Sequence, residues 1–355
     1  MARLEEICSL ITDGSHFSPE DEGVGYPMFS VKDMTPNGFN ISGCKKIGEE
    51  AYKKLVANGC KPLNDDVVVA KDGSYLKTAF VIKGNPEITL LSSIAILRPK
   101  IDLVVPEYLS YFLKSDAVYR TVSLNYITGT ALKRIILKGI RKIEVDLPDI
   151  GEQEQRAQRL SKVDYLCQLR KQQLAKLDEL VKARFVEMFG DINVNNKKWM
   201  TYPLGELCTI VRGGSPRPIE RYLGGTIPWI KIGDATTGEN IYLNSTKEYI
   251  IQEGVKKSRM IKAGSLIFAN CGVSLGFARI ITFDGCIHDG WLAMEDIDEK
   301  LDKIFLLYSL NQMTEYFRKT APAGTQPNLN TNIMKMHRQI VPPMEMQKAF
   351  ISFVK

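Results

Sequence analysis

A chain of 355 residues with 44% hydrophobic and 25% charged residues has the composition of an ordinary soluble globular protein, and its length allows two or three domains. Its start, Met1-Ala2-Arg3-Leu4-Glu5-Glu6, lacks the apolar segment of a secretory signal, and no run nears the ~20 apolar residues that cross a bilayer, so a cytoplasmic protein with no membrane partner is expected. A formal charge of +6 favours a polyanion only where it is clustered.

In chain order, the first unit opens with Leu4-Glu5-Glu6-Ile7, and extended runs are predicted at 26–31, 67–70, 79–82 and 92–97, punctuated by glycine, asparagine and proline. Pro106 and Glu107 open a helix carrying Leu109, Phe112, Leu113 and Val118. Residues 152–189 contain neither proline nor glycine. There Leu160, Val163, Cys167, Arg170, Leu174, Leu177, Val181, Arg184 and Met188 recur by threes and fours, the rhythm of a coiled-coil seam. Asp149 with Glu152 marks the start of this helix, and Gly190 stands where a left-handed C-cap belongs. At 1.5 Å per residue it would span about 55–60 Å. The second unit echoes the first and carries its own late helix through Ile304, Leu307, Tyr308 and Leu310, before Tyr316 and Phe317.

The units are copies. Residues 4–15 align with 204–215, so that Asp13-Gly14-Ser15 falls against Gly213-Gly214-Ser215. Pro27 to Asp33 then answers Pro228 to Asp234, Asp66 to Gly73 answers Ser265 to Gly272, Gly129-Thr130 answers Gly324-Thr325, and Leu147-Pro148 with Gln153 answers Val341-Pro342 with Gln347. The predicted fold is α+β: two mixed domains, 1–150 and 191–343, separated by a coiled-coil-type helix over 151–190, with 344–355 only beginning a second such helix. A seam with no intramolecular partner is expected to be covered by another chain, a second copy in a homodimer included, or by a segment the sequence lacks, with Leu160, Val163, Leu174, Leu177, Val181 and Met188 as its contacts.

Polar loops recur at matching places in both copies. Thr12, Ser15 and His16 sit opposite Arg212, Ser215 and Arg217, and Lys71, Ser74, Tyr75 and Lys77 opposite Asn270 and Ser274. Thr130 and Lys133 face Thr325 and Gln326, while Lys32 and Lys231 lie within the matching segments 27–33 and 228–234. Such side chains suit phosphates and base edges. The seven cysteines form no C-x-x-C pair, and the three histidines stand at no metal-ligand spacing, so neither a disulfide framework nor a metal is expected. Phosphate-binding and nucleophile-elbow motifs are absent, as is an Asn-Pro-Pro-Tyr type methyltransfer motif. Asp298-Glu299-Lys300 reads as a charged helix entry, and His288-Asp289 as a strand-edge pair rather than a catalytic dyad.

Two such units, each ending in a proline-containing strand that runs through Gln153 or Gln347 into a helix, resemble the specificity subunit of a Type I restriction-modification system. The resemblance covers nearly the whole chain. It implies two target-recognition domains that each read one half of a split double-stranded DNA sequence, with the helices setting the gap. It also implies docking to modification subunits and to a motor-nuclease restriction subunit, with AdoMet, ATP and Mg on those partners and neither cofactor nor catalysis on this chain. Family members usually end in a full second helix, antiparallel to the first, and this sequence departs there. A duplicated carbohydrate- or peptide-binding module, a stand-alone DNA-binding regulator, and a methyltransferase or nuclease in its own right stay open as alternatives.

Overall fold

The computed structural model describes residues 1–73, 75–128, 133–236, 238, 240–272, 274–321 and 328–355. It divides into two compact units, Met1–Lys171 and Gln172–Lys355. Both are mixed helix and strand, as the sequence predicts.

In the first unit, among the described residues, strands Cys8–Asp13, Ile94–Pro99, Val67–Ala70 and Ala79–Val81 form a four-stranded sheet in that order. Period-two alternation sends its side chains to two cores. Val67, Val69, Ala95 and Leu97 pack towards Tyr108 and Leu109 of helix Pro106–Leu113. Val68, Ile94 and Ile96 face the other way, onto Phe29, Phe80 and Leu90. All four residues of Val67–Ala70 are buried, which is why they read as an unbroken apolar run rather than an alternating one. A second sheet joins Tyr26–Phe29 to Lys45–Ile47 on one side and, in parallel, to Thr89–Leu90 on the other. The expected strand at 26–31 thus stops at Phe29. Its chain then turns into Val31–Asp33, where the Asp33 carboxylate accepts from the Ser30 amide at 2.8 Å.

The second unit repeats this plan. Leu266, Phe268, Leu292 and Met294 face one core with Phe305, while Ile267, Ala269, Trp291 and Ala293 face another with Ile230 and Ile287. Asp234 caps its turn as Asp33 does, accepting from the Lys231 amide at 2.9 Å.

Strand pairing corrects the alignment in one place. Leu4 and Leu204 are equivalent, since their amides donate to Ile143 and His337 carbonyls at corresponding points. The pairing of Cys8–Asp13 with Ile94–Pro99 then slips between Arg98 and Pro99, leaving Ser9 as an extra residue. Thr209–Arg212 pairs without such a slip. Beyond the bulge, the structural counterpart of Arg212 is therefore Asp13, not Thr12, and that of Gly213 is Gly14. Gly14 and Gly213 donate to Ile94 and Trp291 carbonyls. A Cβ on either would lie about 2 Å from a backbone oxygen, 2.0 Å from Leu90 or 2.1 Å from His288. Glycine is required at both.

The long helix runs Ile150–Phe189. Its start is capped as expected, with the Glu152 amide donating to Asp149 Oδ1 at 2.9 Å, and Gly190 ends it at φ +78°. Phe185 and Phe189 are fully buried in the second unit against Phe305 and Phe350, the latter on helix Met344–Val354. The seam is split accordingly. Val181 and Met188 pack on that core, whereas Leu160, Val163, Leu174 and Leu177 are exposed. All seven cysteines are free thiols, and burial pushes Cys8 and Cys208 up to about 12.

Candidate nucleic-acid interface

In each unit the recurring loops converge on one end of the central sheet. In the first, the segment after Cys8–Asp13 meets the segment after Val67–Ala70 through an ion pair between Asp13 and Lys71. Asp72 bridges to Arg134, the Ile135 amide donates to the Lys71 carbonyl at 3.0 Å, and the Gly73 amide donates to Lys133. In the second unit, Cys271 bridges to Asn328, and the Leu329 amide donates to the Asn270 carbonyl at 2.8 Å. The Gly213 and Gly214 amides donate to Trp291 and Ile287 carbonyls.

Convergence does not make every named side chain available. Lys71 is 8% exposed and neutralised by Asp13. Tyr75 is buried, stacked on Tyr119 with its hydroxyl 3.0 Å from Ser123. Asn270 is fully buried, its amide donating to Asn328 Oδ1 and the Leu329 carbonyl. Ser15 is buried and donates to the Phe17 carbonyl. These four hold the loops together in the free chain. An isolated polar residue in a sequence carries no sign of which way it faces, and here the flanking strands are buried on both faces, drawing the first loop residue inwards. Thr12 is half-buried, and its hydroxyl leans on the Asp13 carbonyl at 3.4 Å.

Others stand at the surface. His16, Lys32, Lys77 and Lys133 are exposed in the first unit, with Lys77 over the Tyr119 ring at 5.4 Å and His16 Nε2 3.7 Å from Asp13. In the second, Arg212 and Arg217 are exposed, Ser215 and Ser274 are half-buried, and Lys231 pairs with Glu248 while lying over Trp229. Ser74, Thr130, Thr325 and Gln326 lie outside the described residues.

Sequence reasoning named Asp289 only as half of a strand-edge pair with His288, yet the second unit's loops are arranged about it. Asp289 Oδ1 accepts from Ser215 Oγ at 2.7 Å and lies 3.0 Å from His288 Nε2. Its Oδ2 is 3.9 Å from Arg217 Nη2, and its carbonyl accepts from Arg212 Nε at 3.0 Å. The Gly290 amide donates to His288 Nδ1 at 2.9 Å, which assigns the imidazole proton to Nε2. Burial holds His288 below the usual histidine range, Asp289 opposes that effect, and Arg217, Lys231 and Arg212 reinforce it. The signal in the sequence was the His288-Asp289 dipeptide, whose partners lie more than seventy positions earlier. Among the described residues no group of three or more His, Cys, Asp or Glu gathers as a metal site, and no helix is long and apolar enough to cross a membrane.

Comparison with known proteins gives this geometry a context. The putative type I restriction enzyme MjaX specificity subunit of Methanocaldococcus jannaschii is 22% identical over 376 residues, covering 99% of this chain and 85% of the relative. A structure described under complex assembly and conformational transition of the type I R-M system aligns with TM-score 0.53 at 17% identity, covering 99% and 88% of the two chains. The Type-I restriction-modification system S subunit from M. genitalium aligns with TM-score 0.50 at 17% identity, covering 99% and 87%. Residues 1–179 and 196–355 each match the Type I restriction modification DNA specificity domain, and the chain belongs to that family.

Proposed function

We propose that the chain is the non-catalytic recognition component of a Type I restriction-modification complex, each unit reading one half of a bipartite double-stranded DNA target. What supports the reading is the convergence, twice, of three polar loops on one end of a sheet whose two faces are already occupied by core. Exposed lysines and arginines at those ends supply phosphate contacts, and the remaining polar groups read base edges. Modification subunits, carrying AdoMet, and a restriction subunit, using ATP and Mg, would supply the chemistry.

The long helix is the spacer in this reading. Its exposed stripe, Leu160, Val163, Leu174 and Leu177, is the docking strip for partner subunits or a second copy. Deleting one helical turn between Leu166 and Leu174 should abolish the methylated motif or change the gap between its halves. An unchanged gap would refute the spacer role. The wider reading is tested by mapping genome methylation with and without the gene: one bipartite motif should vanish. Persistence of every motif, with the purified complex binding no DNA at any salt concentration, would favour a non-DNA module instead.

A further inference from the structure

We propose that Arg217 reads a guanine in the major groove and that Asp289 is its positioning residue, so that the half-site of the second unit contains at least one G·C pair contacted through this pair. The inference rests on the DNA-recognition reading above and deepens it.

Arg217 is an exposed cation of the loop cluster, its side chain 77% exposed, and its guanidinium lies 3.9 Å from Asp289 Oδ2. Asp289 is itself fixed: Ser215 Oγ donates to Oδ1 and His288 Nε2 lies 3.0 Å from the same oxygen, so Oδ2 is the oxygen left to face Arg217. A carboxylate beside an arginine argues against a phosphate as that arginine's target, since Asp289 would repel the same anion. A base edge carries no net charge. Guanine offers O6 and N7 to a guanidinium bidentately, and the paired cytosine offers an N4 amine that a carboxylate oxygen accepts. An arginine and aspartate side by side therefore match a G·C edge and mismatch a phosphate.

The first unit holds no equivalent. No lysine or arginine lies between Asp13 and Val31, and that loop carries Glu20, Asp21 and Glu22 instead. The inference is thus specific to one half-site, which makes it separable from general DNA binding. Asp289 also offers an internal control. Arg212 is held by the Asp289 carbonyl, not its carboxylate, so Asp289→Asn disturbs Arg217 while leaving the anchor of Arg212 in place.

The test uses the full chain with its modification subunits and a duplex library randomised across the bipartite window, read as base preference at each position. Wild type should enrich two half-sites. Arg217→Ala and Arg217→Lys should each relax one guanine in one half-site by about 10- to 100-fold, leaving the other half-site intact, because lysine cannot reproduce the bidentate fork. Asp289→Asn should relax the same position by less. A uniform loss of affinity across all sequences, with the slope of log affinity against log salt reduced by about one and base preference unchanged, would mean a phosphate contact and overturn the inference. So would full rescue by Arg217→Lys. Enrichment of nothing by the wild-type complex would overturn the recognition reading itself, whereas a bipartite wild-type motif that Arg217→Ala leaves unaltered overturns only the assignment made here.

Discussion

Two glutamines, Gln153 and Gln347, should be worth more to stability than any surface ion pair in the molecule. Gln153 is 1% exposed, and its side chain makes three hydrogen bonds: Oε1 accepts from the Val105 amide at 2.9 Å, while Nε2 donates to the Leu103 and Pro148 carbonyls at 3.1 and 2.9 Å. Gln347, fully buried, repeats this with the Asp302 amide and the Lys300 and Pro342 carbonyls at 2.8, 3.0 and 2.8 Å. In both units the glutamine ties the first turn of a helix to the loop that opens the late helix. Alanine there removes three bonds and orphans one amide and two carbonyls. At roughly 0.5–1.5 kcal/mol for each bond, the loss should be about 2–4 kcal/mol per unit. For units of this size that corresponds to a fall in melting temperature of roughly 5–15 °C, and to a lower urea midpoint at unchanged slope. Glutamate keeps the shape but not the two donors, so at pH 7 it sets a carboxylate against two carbonyls and should be worse than alanine. It should recover partly near pH 4, where the protonated acid regains one donor. Equal stability of wild type and both alanine variants, within about 0.5 kcal/mol, would refute the clamp; so would Gln→Glu being milder than Gln→Ala at pH 7.

Asp66 is completely buried and accepts both Arg98 Nε at 2.8 Å and Nη2 at 2.9 Å. Arg98→Met should cost about 3 kcal/mol by leaving that carboxylate uncompensated, and adding Asp66→Asn should recover part of the loss; a double-mutant cycle with no coupling would exclude the pair as the cause. Burial lowers His337 to about 4, against about 6.5 for an unfolded histidine. The unfolded chain then takes up a proton that the folded unit refuses, so stability should fall as pH drops from about 6.5 to about 4, by at most ~3 kcal/mol. Urea midpoints across that range should flatten in His337→Leu, and an unaltered pH dependence would assign the loss to other groups.

The duplication, the extended runs near 67–70, 79–82 and 92–97 and the span of the central helix were legible because they depend on periodicity and on punctuating residues, which survive as patterns. Gly190 and the Asp149 cap are local, and local rules placed them within a residue. The pairing of Gln153 with Gln347 was visible as a landmark, but its purpose was not, since the acceptors at Leu103 and Lys300 lie nearly fifty positions away. The same separation hid Asp289. The bulge at Ser9 was illegible for a different reason: an extra residue in one strand leaves no mark on composition, yet it changes every correspondence beyond it. Polar character was a poor guide to exposure at Lys71, Tyr75 and Asn270, where tertiary pairing decided direction.

That bulge bears on what each unit can recognise. It places Asp13 where the second unit has Arg212, beside Lys71, which independently of the bulge stands where the second unit has Asn270. In the first unit the two charges cancel within the protein, so Lys71 cannot also serve as a phosphate contact without leaving Asp13 exposed to repel the same phosphate. In the second unit a neutral Asn270 donates its amide to Asn328 Oδ1 and the Leu329 carbonyl, and Arg212, an exposed residue, is held by a carbonyl through Nε. One backbone plan thus presents a neutral, acid-flanked loop in one copy and a basic loop in the other, and the two half-sites should differ in sequence. Asp13→Asn separates structure from recognition here. With Lys71 10% exposed at the side chain, removing its counter-charge leaves a buried ammonium beside an amide, and about 3 kcal/mol of the first unit's stability should be lost, read as a lower urea midpoint. The half-site preference of the surviving folded complex should stay as it was. An Asp13→Asn complex of undiminished stability with an altered first half-site would show that Asp13 faces the DNA and that the internal pair is not what holds Lys71 in place.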